Sequence, residues 1–308
     1  MSKTEARTTR GQRIWARYRR GEPACGRDRS AQRIWAHAVL ILASIVALYP
    51  VSWVLKMALS PGRSFGTSSS PIPEAVTLEH FRRVLSTSGP GGEWLFGRQL
   101  LNSLIVSGAT TIVGVLLATT AAYAFSRFRF AGRDRLLSTF LITQMFPATM
   151  VMIPLYVILD HLHLLDSWTG LVLVYSTTAL PFCVFMLKGY FDTIPTELEE
   201  AALIDGASRV RIFFTLILPL ARPAIAVTAL FSFMTAWNEF ILAATFMATD
   251  VGYTLPVVLK SYVGSKSAAT DWPAFAAGAV LVSVPVMALF FALEKHIVSG
   301  LTAGGVKG

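Results

Sequence analysis

Charge is scarce in this chain, and cysteine scarcer still. Only 15% of the 308 residues are Asp, Glu, Lys or Arg, while 54% are hydrophobic. A soluble domain of this size needs far more polar surface, so that class is excluded. The cysteines lie far apart, Cys25 in a basic tail and Cys183 within an apolar run, so neither a disulfide nor a paired-cysteine metal site is available. Motifs that carry chemistry are missing too. No G-x-x-x-x-G-K-[ST] loop occurs; Gly264-Ser265-Lys266-Ser267 comes nearest and lacks the upstream glycine. With no nucleophile elbow and no H-E-x-x-H helix, the chain offers no enzyme site and no cradle for a nucleotide. Asp160, His161, His163 and Asp166 crowd one stretch, but their spacing matches no compact ligand set and reads as a solvated turn. No cofactor or metal is expected on this chain.

What is present is apolar length. Runs at about 34–57, 100–125, 136–159, 168–187, 223–247 and 275–293 each approach or exceed the length of a membrane span. The excess of basic residues follows the spans. Residues 1–36 hold ten Lys/Arg against three Asp/Glu, next to the first span. That placement predicts a cytoplasmic tail beside the membrane and no nucleic-acid partner. The segments 126–135 and 188–222 carry four Lys/Arg each, and the short loops between them and the far side carry none and two. Six spans with both termini in the cytoplasm follow. The first apolar run is long enough to span, and its basic flank too long for a cleaved leader, so a signal-anchor is expected. Residues 1–33 read as a disordered basic tail, in which Gln12-Arg13-Ile14-Trp15-Ala16 recurs as Gln32-Arg33-Ile34-Trp35-Ala36.

Three features stand out inside the spans. Ser103, Ser107, Thr110 and Gly114 make a small polar face, which packs against another helix or lines a pathway. Pro147 and Pro154 predict a kinked third span. Thr228, Ser232, Thr235 and Glu239 are spaced 4, 3 and 4 apart and share one face, with Trp237 and Asn238 beside the acid. An acid in a span either lines a pathway or snorkels to the interface. If Glu239 carried protons, the chain would be a stand-alone secondary transporter, the alternative reading.

The stretch between the fourth and fifth spans reads as a docking knob. Thr196 and Glu199 predict a capping box, Leu198, Ala201 and Ala202 a flat apolar face, and Glu197, Glu199 and Glu200 a solvated one. Gly206 is placed to end the helix at positive φ. Val210, Phe213, Phe214 and Ile217 predict a second amphipathic helix, stopped by Pro219.

Glu200-Ala201-Ala202, Asp205-Gly206-Ala207, Phe213 and Pro219 resemble the EAA loop of permeases in bacterial binding-protein-dependent ABC importers. Asn102-Ser103, Tyr123 to Arg127, Lys188 to Phe191, Ala236 to Phe240 and the C-terminal Leu301 to Gly308 are similar to sugar permeases of the maltose type, the MalG-like group. The resemblance implies an all-α membrane protein, six transmembrane helices with a cytoplasmic EAA coupling helix, in the type I ABC importer permease fold. It implies maltose-like di- or oligosaccharide transport across the inner membrane. It implies a MalF-like second permease, a MalK-like dimer of ATP-binding subunits that holds ATP and Mg, and an extracytoplasmic sugar-binding protein. By the same resemblance Glu200, Ala201, Ala202, Asp205, Gly206 and Ala207 face the ATPase. Gly304, Gly305 and Lys307 reach its interface. Gly252, Tyr253 and Lys260 meet the binding protein. The shared face of Thr228, Ser232, Thr235 and Glu239, with Asn238 beside it, reads from its spacing as the lining of the pathway.

Overall fold

A computed structural model of the chain describes residues 26–62, 73, 75–89, 91–263 and 270–304. The basic tail before Gly26, Cys25, the nearest P-loop-like stretch 264–267, Gly305 and Lys307 lie outside those residues. All regular structure among the described residues is helical, apart from one isolated bridge between Ser88 and Trp94.

The chain divides after Trp53 into two units. Up to Trp53 lies most of the first helix, α1 (Gly26–Leu59), polar in its first two turns and almost wholly apolar from Ile34 onward. Two hydroxyls in the apolar part turn inward on the helix itself: that of Ser44 donates to the Leu40 carbonyl at 2.8 Å, and that of Ser52 to Tyr49 at 2.7 Å. Such back-bonding hides a hydroxyl where no water is at hand.

From Val54 onward the helices are α2 (Glu79–Leu85), α3 (Leu95–Arg127), α4 (Arg133–Met145), α5 (Ala148–His161) and α6 (Trp168–Phe191). They continue as α7 (Glu197–Ile204), α8 (Arg209–Leu220), α9 (Arg222–Trp237), α10 (Ile241–Phe246), α11 (Leu255–Tyr262) and α12 (Trp272–Gly304). α3 and α6 pack along each other, α9 lies against both, and α12 lies against α9. Four single helices are long and apolar enough to cross a membrane; α4 with α5 and α8 with α9 pass only as bent pairs, each counted as one crossing.

The close approach is made by small residues. Ser103, Ser107, Thr110, Gly114, Ala118 and Ala122 recur at intervals of three or four along α3, and all are buried. A Cβ on Gly114 would meet the Ser232 hydroxyl of α9 at 3.4 Å, so the two helices nearly touch there. The polar face of the second span is therefore a packing seam. Thr228 and Ser232 of α9 are fully buried as well. Thr235 is partly buried and bonds back to the Phe231 carbonyl.

Several expectations change. The third run is two helices at 105°, with Pro147 at the junction as the N-terminal flank of α5, while Pro154 sits inside α5 without breaking it. The fifth run is also broken. α9 ends at Trp237, and α10 starts at Ile241, so Glu239 lies beyond the helix whose face it was expected to share. The second span runs 33 residues, from Leu95 to Arg127. At 1.5 Å per residue that is about 50 Å, well beyond a hydrocarbon layer of about 30 Å. Its ends therefore project as rigid rods. α12 continues to Gly304, into the C-terminal stretch Leu301 to Gly308 that was expected as a flexible tail from the glycines in it, since no proline follows Pro285.

Gly114→Leu is expected to overpack the seam by about 1–3 kcal/mol and lower the unfolding midpoint in detergent, with Gly114→Ala near neutral. An unchanged midpoint for leucine would mean that α3 and α9 do not meet at this point.

Candidate functional site

Two polar assemblies stand at opposite ends of α3. At its C-terminal end sits the knob. α7 closes in a Schellman motif: the Ala207 amide donates to the Ala202 carbonyl and the Gly206 amide to Leu203, both at 3.0 Å. Gly206 has φ +83°, which a side chain with a Cβ rarely adopts. Ser208 then opens α8, its hydroxyl accepting from the Arg211 amide. Beyond Ile212 the helix widens into a π turn over Phe213–Ile217, where the Leu218 amide reaches five residues back to Phe213. Pro219 lies in the last turn, and α8 ends one residue later at Leu220, where the chain bends by 77° into α9. Ile212, Phe213 and Ile217 are buried, whereas Val210 and Phe214 are exposed, because the π turn rotates the helix between them.

The tip of α7 is apolar and open: Ile204 is 87% exposed, with Leu198 and Leu203 beside it. Glu197, Glu200, Ala201, Asp205 and Gly206 are exposed too, while Ala202 and Ala207 turn inward against the buried core. Glu199 contradicts the expectation twice. Thr196 is helical with no side-chain cap, so there is no capping box, and the Glu199 carboxylate is buried rather than solvated. It is taken by partners distant in sequence. Arg127 Nε, at the end of α3, pairs with Oε1, and the Tyr123 hydroxyl donates to Oε2 at 2.8 Å.

Arg127 has further uses. Its Nη2 donates to the Ile194 carbonyl at 2.9 Å and its Nη1 to the Ser126 hydroxyl at 3.0 Å. The Ser126 hydroxyl in turn donates to Asp192, which also takes Lys188. Burial alone pushes the Asp192 carboxyl up, but hydrogen bonds from Lys188 and Ser126 outweigh it and hold the group below its ordinary value. Both members of the Arg127–Glu199 pair are over nine-tenths buried. Deleting one partner of such a pair costs about 3–5 kcal/mol, since the other charge is left bare. No local pattern reveals this assembly; the i, i+4 spacing of Tyr123 and Arg127 on one face of α3 is its only trace in the sequence.

At the other end, side chains of α3 hold the backbone of the loop before α11. Asn102 Nδ2 donates to the carbonyls of Val251 and Tyr253 at 2.7 and 3.0 Å. Gln99 donates to the Asp250 carbonyl at 3.0 Å, and Ser103 Oγ accepts the Leu255 amide at 2.8 Å. Gly252 and Tyr253 lie on this tethered loop. Lys260 projects from α11, its ammonium 5.0 Å from the centre of the Phe240 ring.

Glu239 sits in the break before α10. Its carboxylate accepts the amides of Leu242 and Ala243 at 2.8 and 2.9 Å, and the Tyr175 hydroxyl at 2.8 Å. A carboxylate at the start of a helix satisfies donors that have no partner within it. Asn238, exposed at the end of α9, donates back to the Met234 carbonyl. The acid therefore holds a break in the chain together.

Ser103→Ala is expected to raise hydrogen exchange at the Leu255 amide roughly fivefold, the loss of one hydrogen bond of about 1 kcal/mol. Equal exchange in both proteins would remove Ser103 from the tether.

Residues 111–302 match the family described as "Binding-protein-dependent transport system inner membrane component". The galactooligosaccharides transport system permease GanQ of Bacillus subtilis is 40% identical over 89% of this chain and 95% of its own. The maltodextrin permease MdxG of the same organism is 36% identical over 91% and 98%, and the maltose/maltodextrin permease MalG of Salmonella typhimurium 35% over 88% and 95%. Among solved structures, a chain of a bacterial ABC transporter involved in the import of alginate superposes with a TM-score of 0.70 at 23% identity, covering 89% of this chain and 99% of that one. That likeness shows the fold. By sequence and architecture together, the chain belongs to the inner-membrane component family of binding-protein-dependent transport systems.

Proposed function

We propose that this chain is a permease subunit of an ATP-driven importer for di- and oligosaccharides, with maltose-like glucosides the first substrates to test. The observation that carries the reading is the α7 knob, an apolar tip at Ile204 held out on a Schellman-closed helix that bears Glu200-Ala201-Ala202. The similar permeases named for galactooligosaccharides, maltodextrin, trehalose and diacetylchitobiose support a glycoside substrate. In this reading the knob seats in one of two MalK-like ATP-binding subunits, which bind ATP and Mg, and a MalF-like permease completes the pathway. Both termini lie in the cytoplasm. An extracytoplasmic binding protein delivers sugar against the tethered loop at Gly252 and Tyr253 and against Lys260. Closure of the ATPase dimer moves α7 and rocks the spans between inward- and outward-open states.

A stand-alone transporter with a proton site at Glu239 is the weaker reading. Three donors converge on that carboxylate, so it is engaged in holding the break before α10.

The test is recovery of the ATP-binding subunit with the detergent-solubilised chain. Wild type is expected to bring it down, and Ile204→Asp to reduce recovery at least ~10-fold, because a charge would be buried at the contact. No recovery with wild type would overturn the reading. Gly206→Val, strained by about 1–2 kcal/mol at positive φ, is expected to insert normally but lose sugar uptake driven by ATP. Normal uptake in a transport assay would remove the knob from the coupling path.

A further inference from the structure

We propose that the buried Arg127–Glu199 pair, steadied by Tyr123, is a positioning joint that carries displacement of α7 into α3 during transport. The proposal rests on the importer reading and deepens it. Most of α7 faces outward: Glu197, Leu198, Glu200, Ala201, Leu203 and Ile204 are all exposed. What ties the helix to the membrane body is its inner side, where Ala202 rests on the core and the Glu199 carboxylate enters it. Consecutive residues on a helix point about 100° apart, so the adjacent glutamates face in different directions. Glu200 is exposed, and Glu199 is bonded to the end of α3.

The kind of bond matters. An apolar contact lets one surface slide over another, whereas an Arg fork with fixed donors holds a carboxylate at a set angle. Arg127 uses that fork on three sides at once: Glu199, the Ile194 carbonyl in the linker before α7, and Ser126 on its own helix. Through Ser126 and Asp192 the same group reaches Lys188 at the end of α6. Tyr123, one turn before Arg127, takes the second Glu199 oxygen, so the pair cannot swivel without breaking a bond. α3 then runs unbroken to Leu95 and presents Ser103, Asn102 and Gln99 to the loop at 250–255. A push on α7 is thus delivered to a single rigid helix that spans the whole protein.

The experiment uses the complete importer in proteoliposomes, with ATP hydrolysis and sugar uptake measured together and ATPase recovery checked for each variant. Glu199→Gln keeps the shape and loses the charge. It is expected to retain the ATPase and raise the ATP consumed per sugar at least ~5-fold, the size of a modest coupling energy. Arg127→Lys, which keeps the charge without the fork, is expected to fall between it and wild type. Asp160→Asn, exposed near the end of α5 and remote from the knob, should leave the ratio unchanged. If Glu199→Gln fails to assemble, Tyr123→Phe removes one bond and keeps the ring, and its ratio is read instead. A ratio within about twofold of wild type with the ATPase bound would overturn the joint, as would equal falls in hydrolysis and uptake. Absence of ATP-dependent uptake by wild type would instead overturn the importer reading itself.

Discussion

A chain surrounded by lipid cannot draw helices together by hiding apolar surface, because acyl tails are as apolar as leucine. Association depends on how closely backbones approach. In this protein the approach is set along α3, where Ser103, Ser107, Thr110, Gly114, Ala118 and Ala122 form an unbroken small-residue face. α6 and α9 close on that face, with Thr228, Ser232 and Ala226 of α9 similarly small and buried. The large side chains collect in three clusters around the seam, which leaves α3 straight and central.

The ends of α3 are polar for a different reason. Backbone that leaves a helix near a membrane has donors and acceptors that need partners. Gln99, Asn102 and Ser103 supply them to the loop before α11, and Arg127 supplies one to the linker before α7. Glu239 does the same for the break before α10. Each acts as a fastener for irregular main chain.

Composition and periodicity sufficed for the class, the placement of the apolar runs, the small-residue face and the turn at Gly206, since each depends on residues close in sequence. The readings that failed involve distance. Thr196 and Glu199 have the spacing of a capping box, but Glu199 answers to Arg127, which no local pattern couples to it. The 4-3-4 spacing of Thr228 to Glu239 presumes an unbroken helix, and the chain breaks after Trp237 with neither glycine nor proline to announce it. Proline is an uneven guide. Pro147 marks a sharp bend and Pro219 the end of α8, whereas Pro154, Pro181 and Pro285 lie inside continuous helices. Whether a proline bends a helix depends on what surrounds the freed carbonyl.

The tether at the start of α3 has a further consequence. Its bonds to residues 250–255 all end on main-chain atoms: three carbonyls and one amide. The scaffold therefore fixes the path of this loop through its backbone; Thr254 and Leu255 are buried, while Asp250 and Val251 remain exposed and are left unspecified. Residues 250 and 251 can therefore change their side chains while the loop keeps the same course, at little expense to folding, much as a frame accepts different panes.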